Sequence, residues 1–177
     1  MYYSGIKPFS TENGPGVRVS LFVSGCRNAC EGCFQPDTWN FKHGEPFTED
    51  VQQEIIEYLK PDYISGLTLL GGDPFEPENQ ADLIDFIRLV KQTYPDKTIW
   101  AFTGYLLETE LMEGKNHTDV TDELLGYMDV LVDGPFVLEK KSLMLPYRGS
   151  ENQRIILMDE TRKAGSVVLS PLMDERG

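Results

Sequence analysis

The stretch that decides the fold is residues 17–33, VRVSLFVSGCRNACEGC, in which an alternating run leads directly into three cysteines. Apolar residues at 17, 19, 21 and 23 alternate with Arg18, Ser20, Phe22 and Ser24. This period of two predicts a half-buried β-strand that ends at Gly25. The cysteines therefore occupy the loop at the carboxyl end of a strand.

Cys26, Cys30 and Cys33 are the three cysteines of the chain. An odd number so close together excludes a disulfide framework and favours metal ligation. Three thiolates without a fourth suit an iron–sulfur cubane that keeps one iron open. The alternative is a zinc site completed by His43. His43 and His117 are otherwise expected to be ordinary surface or loop histidines.

Composition limits the class of protein. The chain has 177 residues, of which 40% are hydrophobic and 25% charged, and this profile is typical of one globular domain. The net charge of −13 disfavours nucleic acid and anionic membranes as partners. No apolar run approaches the roughly 20 residues of a membrane span, and the amino terminus does not resemble a signal peptide. We therefore expect a cytoplasmic protein.

Further strands and helices alternate after the cysteine loop. Thr48 is predicted to cap a helix that stops at Lys60, and a second helix is predicted over 78–94. Strands are predicted at 67–70, 98–102, 130–132 and 154–158. Their spacing of about 30 residues predicts βαβ units, and hence parallel strands with right-handed crossovers in a single α/β domain. Residues 105–126 lack a clear period and are predicted to form a helical or loop region.

A glycine-bearing motif follows each predicted central strand. These motifs are Gly71-Gly72-Asp73-Pro74, Thr103-Gly104-Tyr105 and Asp133-Gly134-Pro135-Phe136. Each alone is typical of a turn. Because the carboxyl ends of parallel strands lie on one rim, the motifs and the cysteine loop are expected to meet there, around a ligand that the glycine backbone can approach closely.

The C-x3-C-x2-C spacing, Phe34 and the glycine pair resemble the radical S-adenosylmethionine superfamily. The motifs at 13–18, 71–74, 103–105, 133–136 and 148–154 are similar to the family of activating proteins of anaerobic (class III) ribonucleoside-triphosphate reductases. The resemblance covers residues 1–158, the expected activase domain. Tyr147 stands where the family usually has tryptophan. The tail, 159–177, has no assigned role, and is expected to form a surface strand over 167–169 or a disordered end.

This resemblance implies a partial (β/α) barrel with mainly parallel strands. It implies a [4Fe-4S] cluster on Cys26, Cys30 and Cys33, and S-adenosylmethionine on its open iron. Residues expected to bind S-adenosylmethionine are Gly32, Cys33, Phe34, Gly71, Gly72 and Asp73. The implied reaction is reductive cleavage of S-adenosylmethionine followed by hydrogen abstraction from a glycine of the reductase. The implied partners are that reductase and a low-potential electron donor such as flavodoxin.

Several side chains have two expected roles. Asp73 either binds the ligand's ammonium group or acts as a turn and helix-capping residue. Arg18, Arg148 and Arg154 contact the partner or the ligand's carboxylate, or form plain surface ion pairs. Trp39, Phe41 and Phe47 either shield the cluster or pack as a satellite of the core.

Two other functions stay open from the sequence. One is a non-catalytic adaptor with zinc on the three cysteines and His43. The other is a radical S-adenosylmethionine enzyme that acts on a different glycyl radical enzyme or on a small metabolite.

Overall fold

Four parallel strands form the centre of one seven-stranded sheet in the computed structural model, which describes residues 1–175. The strands are β1 Tyr2–Ser10, β2 Val17–Val23, β3 Glu45–Pro46, β4 Ile64–Gly71, β5 Thr98–Phe102, β6 Val130–Asp133 and β7 Arg154–Leu157. The helices are α1 Glu49–Leu59, α2 Pro77–Thr93, α3 Thr121–Tyr127 and α4 Met158–Ala164. Across the sheet the order is β3-β1-β2-β4-β5-β6-β7, so β3 and β7 are the two edges of an open sheet.

The central βα units agree with their predicted positions. Strand β5 has the predicted bounds, and β2 begins as predicted but ends at Val23, before the expected end at Gly25. Strand β4 extends its predicted range at both ends, and β6 extends its range by one residue. The hydroxyl of Thr48 accepts a hydrogen bond from the Val51 amide at 3.4 Å and so caps α1. Pairings β2–β4, β4–β5 and β5–β6 are all parallel. The α/β class is therefore confirmed.

The edges of the sheet differ from the predicted parallel arrangement. The pairs β1–β2, β1–β3 and β6–β7 are antiparallel, and the sequence had not indicated β1 at all. Residues 134–153 connect β6 to β7 with only a short 3-10 turn at Leu138–Lys140, so no crossover helix carries the chain back for a parallel strand. Register shifts in β1 interrupt its alternation, which explains why it was missed.

The two faces of the sheet are covered by different parts of the chain. Helices cover one face, where Val19, Leu69 and Leu131 belong to the main hydrophobic core. The opposite face, which we call the loop-covered face, carries Arg18 and Trp100 among its side chains. Strand β2 is consequently buried on both faces from its second residue onward, not half-buried as predicted.

The remaining segments are short and local. Residues 105–126 contain one π-helical turn, Leu107–Met112, and the first part of α3. In the tail, α4 is followed by a single bridge between Leu169 and Ile156 of β7, where a surface strand was one of the two expectations. The end of the predicted tail, residues 176–177, lies outside the described residues. Within residues 1–175, every helix is too short or too polar to cross a bilayer.

Candidate metal and cofactor site

A cavity of about 660 Å³ lies at the carboxyl ends of the parallel strands. Its lining includes all three cysteines together with residues from each predicted glycine-bearing motif: Gly71, Gly72, Asp73, Thr103, Gly104, Gly134 and Phe136. The expectation that these loops meet on one rim is therefore confirmed. Its volume is within the range of about 300–1,000 Å³ that is usual for small-molecule sites.

Each cysteine sulfur accepts an N–H hydrogen bond. The Asn28 side-chain amide donates to Cys26 Sγ at 3.6 Å, and the Gln35 main-chain amide donates to Cys33 Sγ at 3.4 Å. The main-chain amide of Phe136 donates to the Cys30 sulfur. Such bonds stabilise negative charge on sulfur and tune the potential of iron–sulfur clusters. Three thiols with this environment in one cavity fit an iron–sulfur cluster.

Burial favours the protonated form of two thiols, those of Cys26 and Cys30, when no metal is bound. Burial, with the charge of Asp73 as the second cause, raises the pKa of Cys26 to about 11. Burial also raises the pKa of Cys30, and the Phe136 amide opposes that rise. Because metals bind thiolates, loading the site releases these protons.

Asp73 joins three loops of the rim. Its carboxylate is buried, and accepts hydrogen bonds from the main-chain amides of Phe75 and Gly104 at 2.9 Å each. It also accepts from the Thr103 hydroxyl at 2.8 Å and from the Asn28 side chain at 3.0 Å. Burial raises the pKa of Asp73 to about 7, against the effect of these donors. The bond to Phe75 bears out the expected turn role, whereas α2 itself begins only at Pro77, after Glu76.

Glu76 holds the cysteine loop through Arg27, and sequence reasoning missed it. Its buried carboxylate accepts from the Arg27 main-chain amide and guanidinium, both at 2.7 Å, and from the Tyr105 hydroxyl at 2.5 Å. Arg27 also stacks on Phe41, with its guanidinium carbon 4.5 Å from the ring centroid. Glu76 and Tyr105 are far apart in sequence, so only the fold shows that they act together.

The glycine pair brings two strand ends close together. A Cβ on Gly72 would lie 2.6 Å from the Gly25 carbonyl oxygen, and one on Gly71 would lie 2.6 Å from the Val23 carbonyl oxygen. Gly71 has a positive φ of 108°, which also favours glycine. Glycine is therefore needed at both positions because the two strand ends pack closely. The expected approach of the backbone to a ligand would be a second reason.

Aromatic residues near the cavity divide into two groups. Phe34 is 64% exposed and packs against Phe136 at a ring separation of 5.3 Å, and Trp39 also lines the cavity. Phe41 lies behind Gly25, at the start of the cysteine loop. Phe47 instead packs in the core, 5.2 Å from the ring of a helix α2 phenylalanine, and so takes the satellite role.

The three arginines make intramolecular contacts. Arg18 is only 1% exposed, so the expected contact with a partner or a surface ion pair does not agree with its place inside the sheet. Arg154 pairs with the exposed Glu108 and with the buried Asp133, so it forms the expected ion pair but not a plain surface one. The Arg148 guanidinium lines the cavity and donates to main-chain carbonyl oxygens, including that of Met173 at 3.1 Å.

The histidines lie apart from the cysteines. His43 lines a neighbouring depression with residues of β1, not the cavity that holds the sulfurs, and His117 contacts Asp122 at 3.1 Å. The structure therefore does not bring His43 into the expected zinc set. Among residues 1–175, no three His, Cys, Asp or Glu side chains are drawn tightly around a point that one metal ion could occupy.

Comparison with known proteins agrees with this chemistry. A family model described as a 4Fe-4S single cluster domain matches residues 12–156. The chain is 44% identical over 157 residues to a protein of Pasteurella multocida, covering 88% of this chain and 96% of that one. It is 41% identical over 156 residues to a protein of Enterobacteria phage T4, covering 88% and 93%. For a protein of Escherichia coli K12 the identity is 39% over 155 residues, covering 86% and 96%.

All three relatives are named anaerobic ribonucleoside-triphosphate reductase-activating protein. The family-model match includes the cysteine loop, every glycine-bearing motif and the four parallel strands. The chain therefore belongs to the 4Fe-4S single cluster domain family and, within it, to the family of anaerobic ribonucleoside-triphosphate reductase-activating proteins.

Proposed function

We propose that this chain generates a glycyl radical in an anaerobic ribonucleoside-triphosphate reductase. The observation that carries the proposal is the cavity in which three cysteine sulfurs, each with an N–H donor, face the glycine-bearing ends of parallel strands. When bound, a [4Fe-4S] cluster and S-adenosylmethionine supply reductive cleavage of the sulfonium and hydrogen abstraction from a glycine of the reductase.

The protein's own residues hold and orient these groups. Cys26, Cys30 and Cys33 would ligate three irons and leave the fourth for the amino and carboxylate groups of S-adenosylmethionine. The backbone of Gly71 and Gly72 would lie along the methionine moiety, since both glycines line the cavity without side chains.

The adenine end of the ligand would lie near the last part of the cysteine loop. The exposed ring of Phe34 is available to pack against a purine, and Gly32 and Cys33 offer main-chain groups beside it. Asp73 would line the cavity, with its carboxylate surrounded by donors from the chain itself.

A protein substrate suits the mouth of this cavity. Leu143 is 86% exposed at its rim, and Met144 next to it is 54% exposed. Exposed apolar side chains around a cleft are typical of surfaces that other proteins cover. The net charge of −13 repels nucleic acid and favours a protein as the macromolecular partner.

The test uses anaerobically purified protein in which the cluster has been reconstituted. We expect about four irons per chain, formation of 5′-deoxyadenosine from S-adenosylmethionine with dithionite, and a glycyl radical signal by electron paramagnetic resonance once the reductase is added. Cys30→Ser should abolish all three. A loaded cluster that forms no 5′-deoxyadenosine would contradict the proposal.

The same assay separates the competing substrates. If the radical signal forms only with a different glycyl radical enzyme, or if a small metabolite is consumed without any reductase, the proposed substrate is wrong. Replacing dithionite by reduced flavodoxin tests the proposed class of electron donor, which should support 5′-deoxyadenosine formation at a measurable rate.

A further inference from the structure

Asn28 occupies a position between a cysteine sulfur and a buried carboxylate. Its side-chain nitrogen donates to Cys26 Sγ at 3.6 Å and to Asp73 Oδ2 at 3.0 Å. An amide nitrogen carries two hydrogens, so both are used by these two acceptors. The amide therefore connects the cysteine loop to the segment that follows β4.

The carboxylate that holds Asn28 is itself fixed. A carboxylate has about four acceptor positions, and Asp73 receives four donors, from Asn28, Phe75, Thr103 and Gly104. These four donors come from the chain itself and fix the orientation of the carboxylate. Asp73 therefore orients Asn28, and its four donors favour this role over the alternative of binding a ligand's ammonium group.

The loop that follows β5 packs against the same side-chain amide. A Cβ placed on Gly104 would lie 2.3 Å from Asn28 Nδ2 and 2.8 Å from the adjacent side-chain carbon. Gly104 thus leaves the space that the Asn28 side chain occupies, while its own main-chain amide donates to Asp73. Asn28 lines the cavity and is contacted by residues from two other loops, which restricts its rotation.

We infer that Asn28, oriented by Asp73 and accommodated by Gly104, is a positioning residue for Cys26 that raises the reduction potential of the bound cluster. The inference rests on the cysteine-held cluster of the proposed function, not on the fate of S-adenosylmethionine. An N–H directed at a ligating sulfur stabilises the reduced cluster, which carries one more negative charge. Without the side-chain amide, only the Asn28 main-chain amide would oppose the negative charge of Asp73 at this sulfur.

Two substitutions disturb the amide by independent routes. Asn28→Ala removes it, and Gly104→Ala displaces it without changing the loop's main-chain donor to Asp73. For both we expect a midpoint potential more negative than that of the unmodified protein, measured by redox titration with electron paramagnetic resonance. At the potential where half of the clusters in the unmodified protein are reduced, well under half of the clusters in each variant should be reduced. The controls are Asn40→Ala, at an exposed loop position, and Gly126→Ala, whose Cβ meets nothing within 4 Å.

The outcomes are distinguishable from failure of the proposed function. Clusters with full iron content and an unchanged midpoint in both variants would overturn the inference and leave the activase proposal intact. If Asn28→Ala fails to retain iron while circular dichroism shows a folded chain, the positioning of Cys26 is supported and Gly104→Ala decides the effect on potential. Failure of the unmodified protein to assemble a cluster would overturn the proposed function itself.

Discussion

The guanidinium of Arg18 donates to two threonine hydroxyls and two main-chain carbonyl oxygens inside the sheet. Nε donates to Thr68 Oγ1 and one terminal nitrogen to Thr98 Oγ1, both at 2.9 Å, and the other terminal nitrogen donates to the Leu67 and Thr98 carbonyl oxygens. The group also lies over the Trp100 ring, 5.8 Å from its centroid. Burial lowers the pKa of Arg18 to about 10, so it remains charged at neutral pH.

Arg18→Lys should destabilise the protein, because one ammonium cannot reach acceptors that are spread around a planar guanidinium. Buried acceptors left unpaired cost about 1–3 kcal/mol each, and we expect the free energy of unfolding in urea to fall by about 2–4 kcal/mol. The matched control is Arg88→Lys on the surface of α2, where the ion pairs are exposed and the change should be smaller. Equal effects of the two substitutions would show that the buried network contributes nothing.

The Cys26 thiol should react slowly in the metal-free protein. Because burial raises its pKa to about 11, only about 0.1% is thiolate at pH 8, and the fraction rises tenfold per pH unit until the pKa is approached. A thiolate with a high pKa is more nucleophilic, which offsets part of the effect of the small thiolate fraction. We therefore expect iodoacetamide to alkylate Cys26 roughly tenfold more slowly in the folded protein than in protein denatured with guanidinium chloride.

Mass spectrometry can follow this reaction site by site. Trypsin cleaves after Arg18 and Arg27, which releases Cys26 in a peptide without the other two cysteines. A Cys26 alkylation rate that is equal in folded and denatured protein, or that does not rise between pH 8 and pH 10, would contradict the assigned burial.

At the scale of elements, the site depends on how closely β2 and β4 run together at their carboxyl ends. The pairing continues past the strands, since the Gly72 amide donates to the Val23 carbonyl oxygen at 2.7 Å and the Asp73 amide to the Gly25 carbonyl oxygen at 2.8 Å. Gly25 directly precedes the first cysteine. The glycine pair therefore fixes where the cysteine loop leaves the sheet.

Gly72→Ala should displace the cysteine loop, because the added Cβ would meet the Gly25 main chain at 2.6–3.0 Å and backbone there cannot give way as a flexible side chain could. We expect a loss of about 1–3 kcal/mol in unfolding free energy, the usual cost of overpacking, and fewer irons retained per chain. Gly126→Ala in α3 is the control and should leave iron content unchanged. Full iron content in Gly72→Ala would show that the loop tolerates a side chain at this contact.

At the scale of the whole molecule, the tail completes the sheet's outer edge. The Leu157 amide donates to the Val168 carbonyl oxygen at 2.9 Å, and the Ser170 amide donates to the Ile155 carbonyl oxygen at 2.8 Å. Met173 packs with the apolar cluster on the loop-covered face, and its carbonyl oxygen receives the Arg148 guanidinium. These contacts bind the tail to both β7 and the rim of the cavity.

Deleting residues 159–177 should therefore destabilise the whole domain. The three hydrogen bonds contribute about 1 kcal/mol each, and apolar burial adds to them, so we expect the unfolding free energy to fall by about 3 kcal/mol or more. Ser170→Pro removes the N–H donor to Ile155 and the hydroxyl that accepts from the Leu172 amide, and it should have a smaller effect in the same direction. An unchanged urea midpoint for the deletion would mean that the tail is an independent appendage.

The outer parts of the fold were hard to predict for identifiable reasons. Local periodicity is strong in β2 and β5, so the start of β2 and both bounds of β5 were predicted correctly. The direction of β7 depends on the path of residues 134–153, whose loop residues carry no periodic signal. The edge strand β1 has bulged pairing, so its faces do not alternate regularly along the sequence.

In the candidate site, too, only residues with a local sequence pattern could be predicted. Cys26, Cys30 and Cys33 could be recognised because ligands drawn from one short loop leave their spacing in the sequence. Asn28 and Glu76 could not, because each acts through a residue on another loop. Phe47 is an aromatic residue near the cysteine loop in sequence, as a shielding residue would be. Only the structure showed that it packs in the core instead.

The sequence by itself determined the central βα units, the cysteine loop and the family, because these depend on residues that are close together in the chain. Only the tertiary structure decided that Arg18 is buried, that β7 is antiparallel and that Asn28 joins Cys26 to Asp73. The physical reason is sequence distance: Asn28 and Asp73 are 45 positions apart, and Arg18 and Thr98 are 80 apart. Hydrogen bonds across such separations form only after the sheet has brought its strand ends together.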